Sequence, residues 1–134
     1  MPGFVDNSLQ VGITPRDLRR SMHFYREVLG VNYEVPLVTS GIVLHRFRIG
    51  AAVLKLAEGI SAPAHNPAGG PPAATGLRWV SVDVDDLQAI VERLATVETS
   101  FVTPIMADES GTRFAIIEDP DGIWIELIQQ VQSH

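Results

Sequence analysis

Glu126 lies in Trp124-Ile125-Glu126-Leu127-Ile128, where strand alternation puts Trp124, Glu126 and Ile128 on one face and Ile125 and Leu127 on the other. A carboxylate in so apolar a strand is costly to bury unless a metal ion, a cation or a hydrogen-bonding ligand meets it. On an edge strand, water serves instead. Lys55 interrupts Val53-Leu54-Lys55-Leu56-Ala57 in the same way. Its ammonium has no lone pair while protonated, so it either snorkels to water or finds a carboxylate. Gln10, in the short strand candidate Leu9–Ile13, and Trp79, opening the alternating run Trp79-Val80-Ser81-Val82, complete the set. Trp124, on the face of Glu126, is a further ligand contact, and the indoles offer flat apolar surfaces with one donor each.

The elements that position these residues can be read in order. Asp17 is the expected N-cap of a helix whose stripe is Leu18, Met22, Tyr25, Val28 and Leu29, ended by Gly30. Strands are expected over Ile42–Ile49 and Ala52–Ala57. A two-residue turn at Gly50-Ala51 between them sets Arg46, rather than His45, across from Lys55. Glu58 to Thr75 contains Pro63, Pro67, Pro71 and Pro72 with Gly59, Gly69 and Gly70, which rules out regular structure. It reads as a linker, of a length that can also close over a ligand. Leu77–Val84 reads as a strand and Asp85-Asp86 as a helix cap. Leu87, Ile90, Val91 and Leu94 form the stripe of a second helix. Phe101–Pro104 is extended, and Arg113–Glu118 with Ile123–Gln129 closes a hairpin through Asp119-Pro120-Asp121-Gly122.

Strand, helix and strands thus occur twice. Gln10 to Leu18 lies over Trp79 to Leu87 at an offset of 79 − 10 = 69, matching Val11 with Val80, Ile13 with Val82 and Asp17 with Asp86. Val53–Ala57 lies over Trp124–Ile128 at 126 − 55 = 71. The repeat makes Gln10 equivalent to Trp79 and Lys55 equivalent to Glu126. If the modules pack about a pseudo-two-fold axis, those four side chains can converge in one cleft. The expected organisation is module one at about 5–58, a linker at about 59–75 and module two at about 76–131.

Composition bounds the rest. The 134 residues, 46% apolar, suit one globular domain or two small modules sharing a core. The net charge of −6 disfavours nucleic acid as a partner, and no basic stripe with interleaved aromatics occurs. The absence of cysteine excludes disulfide and thiolate chemistry. No apolar run is long enough to span a membrane. The first residues carry neither a basic region nor an apolar signal core, so a cytoplasmic location is expected.

Asp17-Leu-Arg-Arg-Ser-Met-His-Phe-Tyr-Arg-Glu-Val-Leu-Gly30 and Glu118-Asp-Pro-Asp-Gly-Ile-Trp-Ile-Glu-Leu-Ile128 resemble the two signatures of the vicinal oxygen chelate superfamily, at the expected separation and order. That superfamily includes glyoxalases, bleomycin-resistance proteins, fosfomycin-modifying enzymes and extradiol dioxygenases. The resemblance implies an α+β fold of two tandem βαβββ modules, with curled mixed sheets around a cleft, and a homodimer. In the metal-dependent glyoxalase branch, His, Gln or Glu ligands occupy the places of Gln10, Lys55, Trp79 and Glu126. Only Gln10 and Glu126 can ligate here, and a divalent ion wants three or four N/O ligands. No metal and no cofactor is therefore expected. His23, His45 and His65 are the residues from which a site could be rebuilt.

Two readings follow. In the first, Lys55 takes the place of the metal charge beside Glu126, and Gln10, Arg46, Trp79 and Trp124 hold a small organic ligand. This resembles a bleomycin-resistance-type binder, and the Lys55–Glu126 pair could also serve acid–base catalysis. In the second, a recruited ligand restores a glyoxalase-type lyase or isomerase in which Glu126 moves the proton. The plain alternatives are a structural ion pair and an interaction module with no small ligand.

Overall fold

A computed structural model describes Gly3 and residues 9–59 and 66–131. The chain separates into two compact units, residues 1–65 and 66–134. His65 lies outside the described residues.

Module one runs β1 (Gln10–Ile13), α1 (Leu18–His23), β2 (Asn32–Thr39), β3 (Ile42–Ile49) and β4 (Ala52–Glu58). Its strands lie in the order β1-β4-β3-β2, with β1 parallel to β4 and the others antiparallel. Asp17 caps α1, its carboxylate accepting from the Arg20 N–H. The helix then widens into a π-helical turn over Phe24–Val28, closed by the Leu29 N–H on the Phe24 carbonyl. That turn buries Phe24, Tyr25 and Val28, and Phe47, Leu54 and Leu56 are buried from the sheet. The Tyr25 ring meets the edge of Phe24 at 4.9 Å and lies 5.9 Å from that of Phe47.

Module two repeats the plan with β5 (Trp79–Asp83), α2 (Leu87–Leu94), β6 (Ser100–Ala107), β7 (Arg113–Glu118) and β8 (Trp124–Gln129), ordered β5-β8-β7-β6. Asp86 caps α2 through the Ala89 N–H, and the Gln129 side chain accepts from the Leu87 N–H. Leu87, Leu94, Ala115, Ile117, Ile125 and Leu127 form its core. The fold is α+β: each module is a βαβββ unit whose four-stranded mixed sheet curls without closing.

Both expected helices, the Gly50-Ala51 turn and the closing hairpin are present. The sequence reading did not include β2, and it stopped β6 at Pro104, whereas the strand continues to Ala107. Both strands carry register shifts beside a proline, Pro36 between Glu34 and Leu37 and Pro104 between Thr103 and Met106. Proline gives the ladder no N–H, and a bulge breaks the alternation by which a strand is recognised.

Residues 66–75 belong to module two rather than to a free connection. The buried Arg78 side chain donates to the Gly70 carbonyl at 2.8 Å and to that of Pro67. Gly70 lies on the Trp124 ring, where an added Cβ would fall 2.3 Å from a ring carbon. A Cβ on Gly122, in the Asp-Pro-Asp-Gly turn, would fall 2.5 Å from that of Ala68, and the positive φ of 85° independently favours glycine there.

Candidate functional site

The register places the chemistry-bearing residues in rows across each sheet. In module one, Gly12 faces Lys55, Lys55 faces Arg46 and Arg46 faces Glu34. The adjacent row on the same face is Gln10, Val53, Arg48 and Asn32. Alternation sets these side chains away from Phe47, Leu54 and Leu56. In module two the matching rows are Ser81, Glu126, Ile116 and Thr103, then Trp79, Trp124, Glu118 and Ser100. Gln10 and Trp79 are thus equivalent sheet positions, and so are Lys55 and Glu126.

Arg46 stands opposite Lys55, as the two-residue turn requires. Its guanidinium is already engaged, Nε and Nη2 both donating to the Val35 carbonyl at 2.9 and 2.7 Å. The bulge at Pro36 exposes that carbonyl, and Arg46 satisfies it. Arg48 grips Glu34 at two points, 2.8 and 3.4 Å. This bond, with the charge of Arg48, holds the Glu34 carboxyl below its ordinary range and Arg48 above its own. Lys55 is half-buried and forms no ion pair within its module among the described residues. The two rows together carry three cations, Lys55, Arg46 and Arg48, against one carboxylate.

In module two the sign reverses, with Glu126 and Glu118 and no cation in the two rows. Glu126 is half-buried and accepts the Ser81 hydroxyl at 2.7 Å, so its own module already supplies one donor. Trp79 is 52% exposed, a large apolar surface open to a partner. Trp124 is covered by Gly70, and its indole N–H is buried without a hydrogen-bond partner among the described residues. Gln10 is exposed. Arg78 and Ser81 escaped sequence reasoning, since one pins a loop and the other bonds a residue forty-five positions away.

The donor set does not fit a glyoxalase-type metal. At the four equivalent positions stand one amide, one carboxylate, one ammonium and one indole, and the last two supply no lone pair to an ion. Among the described residues no group of three or more His, Asp or Glu side chains is placed to hold a metal. His23 is exposed at the end of α1. His45 stands across from Leu56 on the opposite face, both ring nitrogens hydrogen-bonded, to Tyr33 and to Glu58.

The fold and the two signature segments define a class. The family model of the Glyoxalase/Bleomycin resistance protein/Dioxygenase superfamily matches residues 8–127, and the chain belongs to that superfamily. It is 27% identical over 125 residues to the uncharacterized protein YwbC of Bacillus subtilis, covering 89% of this chain and 94% of that protein. The crystal structure of SMU.1112c superposes with a TM-score of 0.75 at 23% identity, covering 89% of this chain and 95% of the other. TnmS3, an antibiotic binding protein from Streptomyces sp. CB03234, superposes with a TM-score of 0.68 at 19% identity, over 98% of this chain and 99% of its own. These likenesses establish the fold. No helix among the described residues is long and apolar enough to cross a membrane.

Proposed function

We propose that the chain binds a small organic molecule without a metal, on the sheet faces that carry Gln10, Lys55, Trp79 and Glu126. The carrying observation is that Lys55 occupies, in module one, the sheet position that Glu126 occupies in module two. A cation in place of a metal ligand supplies fixed positive charge where the glyoxalase branch uses an ion. The two sets of rows carry opposite signs of charge, cations around Lys55 in module one and the carboxylates Glu126 and Glu118 in module two. Trp79 supplies a flat apolar surface for a planar or apolar ligand, and Gln10 supplies an amide that both donates and accepts. Arg46 keeps donors beyond those spent on Val35, and Trp124 stands beside Trp79 in the same row, beneath Gly70. The antibiotic-binding TnmS3 shares the fold, which supports a binding role for such an architecture. Should the site turn a substrate over, Lys55 and Glu126 are the side chains able to serve as acid and base. The protein acts as a cytoplasmic homodimer in this reading.

The test is mass spectrometry of small molecules released on denaturing the purified protein, alongside elemental analysis. A co-purifying organic molecule that is lost in Trp79→Ala and Lys55→Met, with no stoichiometric metal, supports the reading. One metal ion per chain that Glu126→Gln removes overturns it.

A further inference from the structure

On the opposite face of the module-one sheet, away from Lys55, three titratable side chains form a connected line. Tyr33 Oη lies 2.7 Å from His45 Nδ1, and His45 Nε2 lies 2.6 Å from Glu58 Oε2. The three residues come from β2, β3 and β4 and share the face of Phe47 and Leu56. The His45 side chain is 14% exposed and that of Glu58 47% exposed, so the line runs from a half-buried phenol to a carboxylate at the surface. The Arg26 guanidinium sits 4.8 Å from the centre of the Tyr33 ring. None of these residues belongs to the candidate ligand site.

The geometry serves both protonation states of the imidazole. Neutral His45, with its proton on Nε2, donates to Glu58 and accepts the Tyr33 hydroxyl at Nδ1. The imidazolium donates to Glu58 and to the phenolate oxygen. The two hydrogen bonds thus persist in either state, so His45 can take the phenol proton as Oη forms a bond, without a heavy atom moving. A nucleophile bonded to a base, and the base bonded to an orienting carboxylate, is the arrangement that activates hydroxyl nucleophiles.

We propose that Tyr33 is a nucleophile toward activated acyl esters, with His45 as its general base and Glu58 as its positioning residue. In the step, Oη attacks the acyl carbon and a new C–O bond forms. The phenol proton passes to His45 Nδ1, and the leaving group departs with the electrons of its own C–O bond. The products are an ester on Tyr33, the leaving group as an anion and an imidazolium that returns its proton to solvent. Arg26 places positive charge over the ring as its oxygen loses the proton. The line offers a base and no separate acid, so the leaving group must depart unprotonated. That selects aryl esters and other acyl donors with weakly basic leaving groups.

The test treats the full chain with p-nitrophenyl acetate, follows p-nitrophenolate release, and locates the acetyl group by peptide mass spectrometry. The expected result is a burst of one equivalent with the acetyl group on Tyr33, at a rate about 100-fold above that of N-acetyltyrosinamide under the same conditions. Tyr33→Phe abolishes the burst, and His45→Gln lowers its rate by about 100-fold. Glu58→Gln lowers it less, and Glu58→Asp recovers part of the loss, which a merely structural carboxylate would not do. Acetylation confined to lysines, or of Tyr33 no faster than of free N-acetyltyrosinamide, overturns the proposal. That comparison uses the parent protein alone and stands whether or not the variants fold. A parent rate retained in Glu58→Gln overturns the role given to Glu58.

Discussion

Lys55 and Glu126 occupy the same position in two copies of one sheet. Each is centred in the last strand of its module, with a small residue of the first strand beside it, Gly12 for Lys55 and Ser81 for Glu126. On the other side Lys55 meets Arg46 and Glu126 meets Ile116. The two positions are equivalent in the repeated unit and carry opposite charge. The cation next to Lys55 is bonded to a backbone carbonyl rather than to an acid, so the module-one row keeps an excess of positive charge.

Lys55→Glu is expected to create what the parent lacks. It restores a metal-ligating side chain at that position, and in the proposed reading Gln10 and Glu126 would be the other two ligands. Adding Mn or Zn should raise the melting temperature of Lys55→Glu and leave the parent unchanged. An equal response from both proteins would remove the idea that Lys55 replaces the metal charge. In the proposed reading Lys55 acts as a countercharge to Glu126, and Lys55→Met should then destabilise by on the order of 3 kcal/mol. Urea denaturation of parent and variant measures this directly.

The Asp119 carboxylate holds the Asp-Pro-Asp-Gly turn from inside. It is 5% exposed and accepts from the backbone N–H groups of Asp121 and Ile123 at 2.9 and 2.8 Å. Asp119→Ala leaves those donors unpaired in a protected turn and should cost about 2 kcal/mol. Asp119→Asn keeps the acceptor oxygen and should cost less. Equal losses in the two variants, read from urea midpoints at constant slope, would assign the effect to charge and not to the hydrogen bonds.

Those outcomes bear on what could be read from the chain alone. Turn chemistry was legible: Asp119, Pro120 and Gly122 announce their turn, and Asp17 and Asp86 announce their helices, because each acts on backbone within a few residues. The Gly50-Ala51 turn likewise fixed the partner of Lys55. Register then carried that local information across the sheet. The β2 strand was not legible, because Pro36 and its bulge break the alternation and Val35 and Val38 face solvent at 75% and 70% exposure. The Tyr33, His45 and Glu58 line was hidden for another reason. Its members sit twelve and thirteen residues apart, and only the pairing of β2 with β3 and of β3 with β4 brings them together.

Gly70 is expected to tolerate no side chain. Its φ is +69°, and a Cβ would fall 2.3 Å from the Trp124 ring. Gly70→Ala should therefore cost about 1–3 kcal/mol through overpacking, with the backbone strain adding to it. It should also alter Trp124 fluorescence, because the loop that covers the indole must lift. Gly76, with a positive φ but no atom within 4 Å of an added Cβ, is the control for strain alone. Gly76→Ala should leave the fluorescence unchanged, and a shift there matching that of Gly70→Ala would defeat the assignment to contact.

The acid dependence of stability should trace to Glu34 and Asp108. Arg48 holds the Glu34 carboxyl down by a two-point hydrogen bond and by its charge. Asp108, in the turn between β6 and β7, is held down chiefly by the Ser110 hydroxyl and further by backbone N–H groups of residues 110–112. For a carboxylate whose folded value lies below its unfolded one, the unfolded chain takes up the proton first as the pH falls. The stabilisation is complete above the unfolded value, in the ordinary carboxylate range. It declines as the pH falls through that range and is gone below the folded value. Glu34 is half-buried beside a charged partner and Asp108 is exposed among neutral ones, so salt should reduce the Glu34 contribution more than that of Asp108. Carboxyl NMR titration should show Glu34 titrating below a free glutamate, and Arg48→Met should return it to the ordinary range. If Glu34 titrates alike in parent and Arg48→Met, the ion pair does not form in solution and contributes nothing to the acid sensitivity.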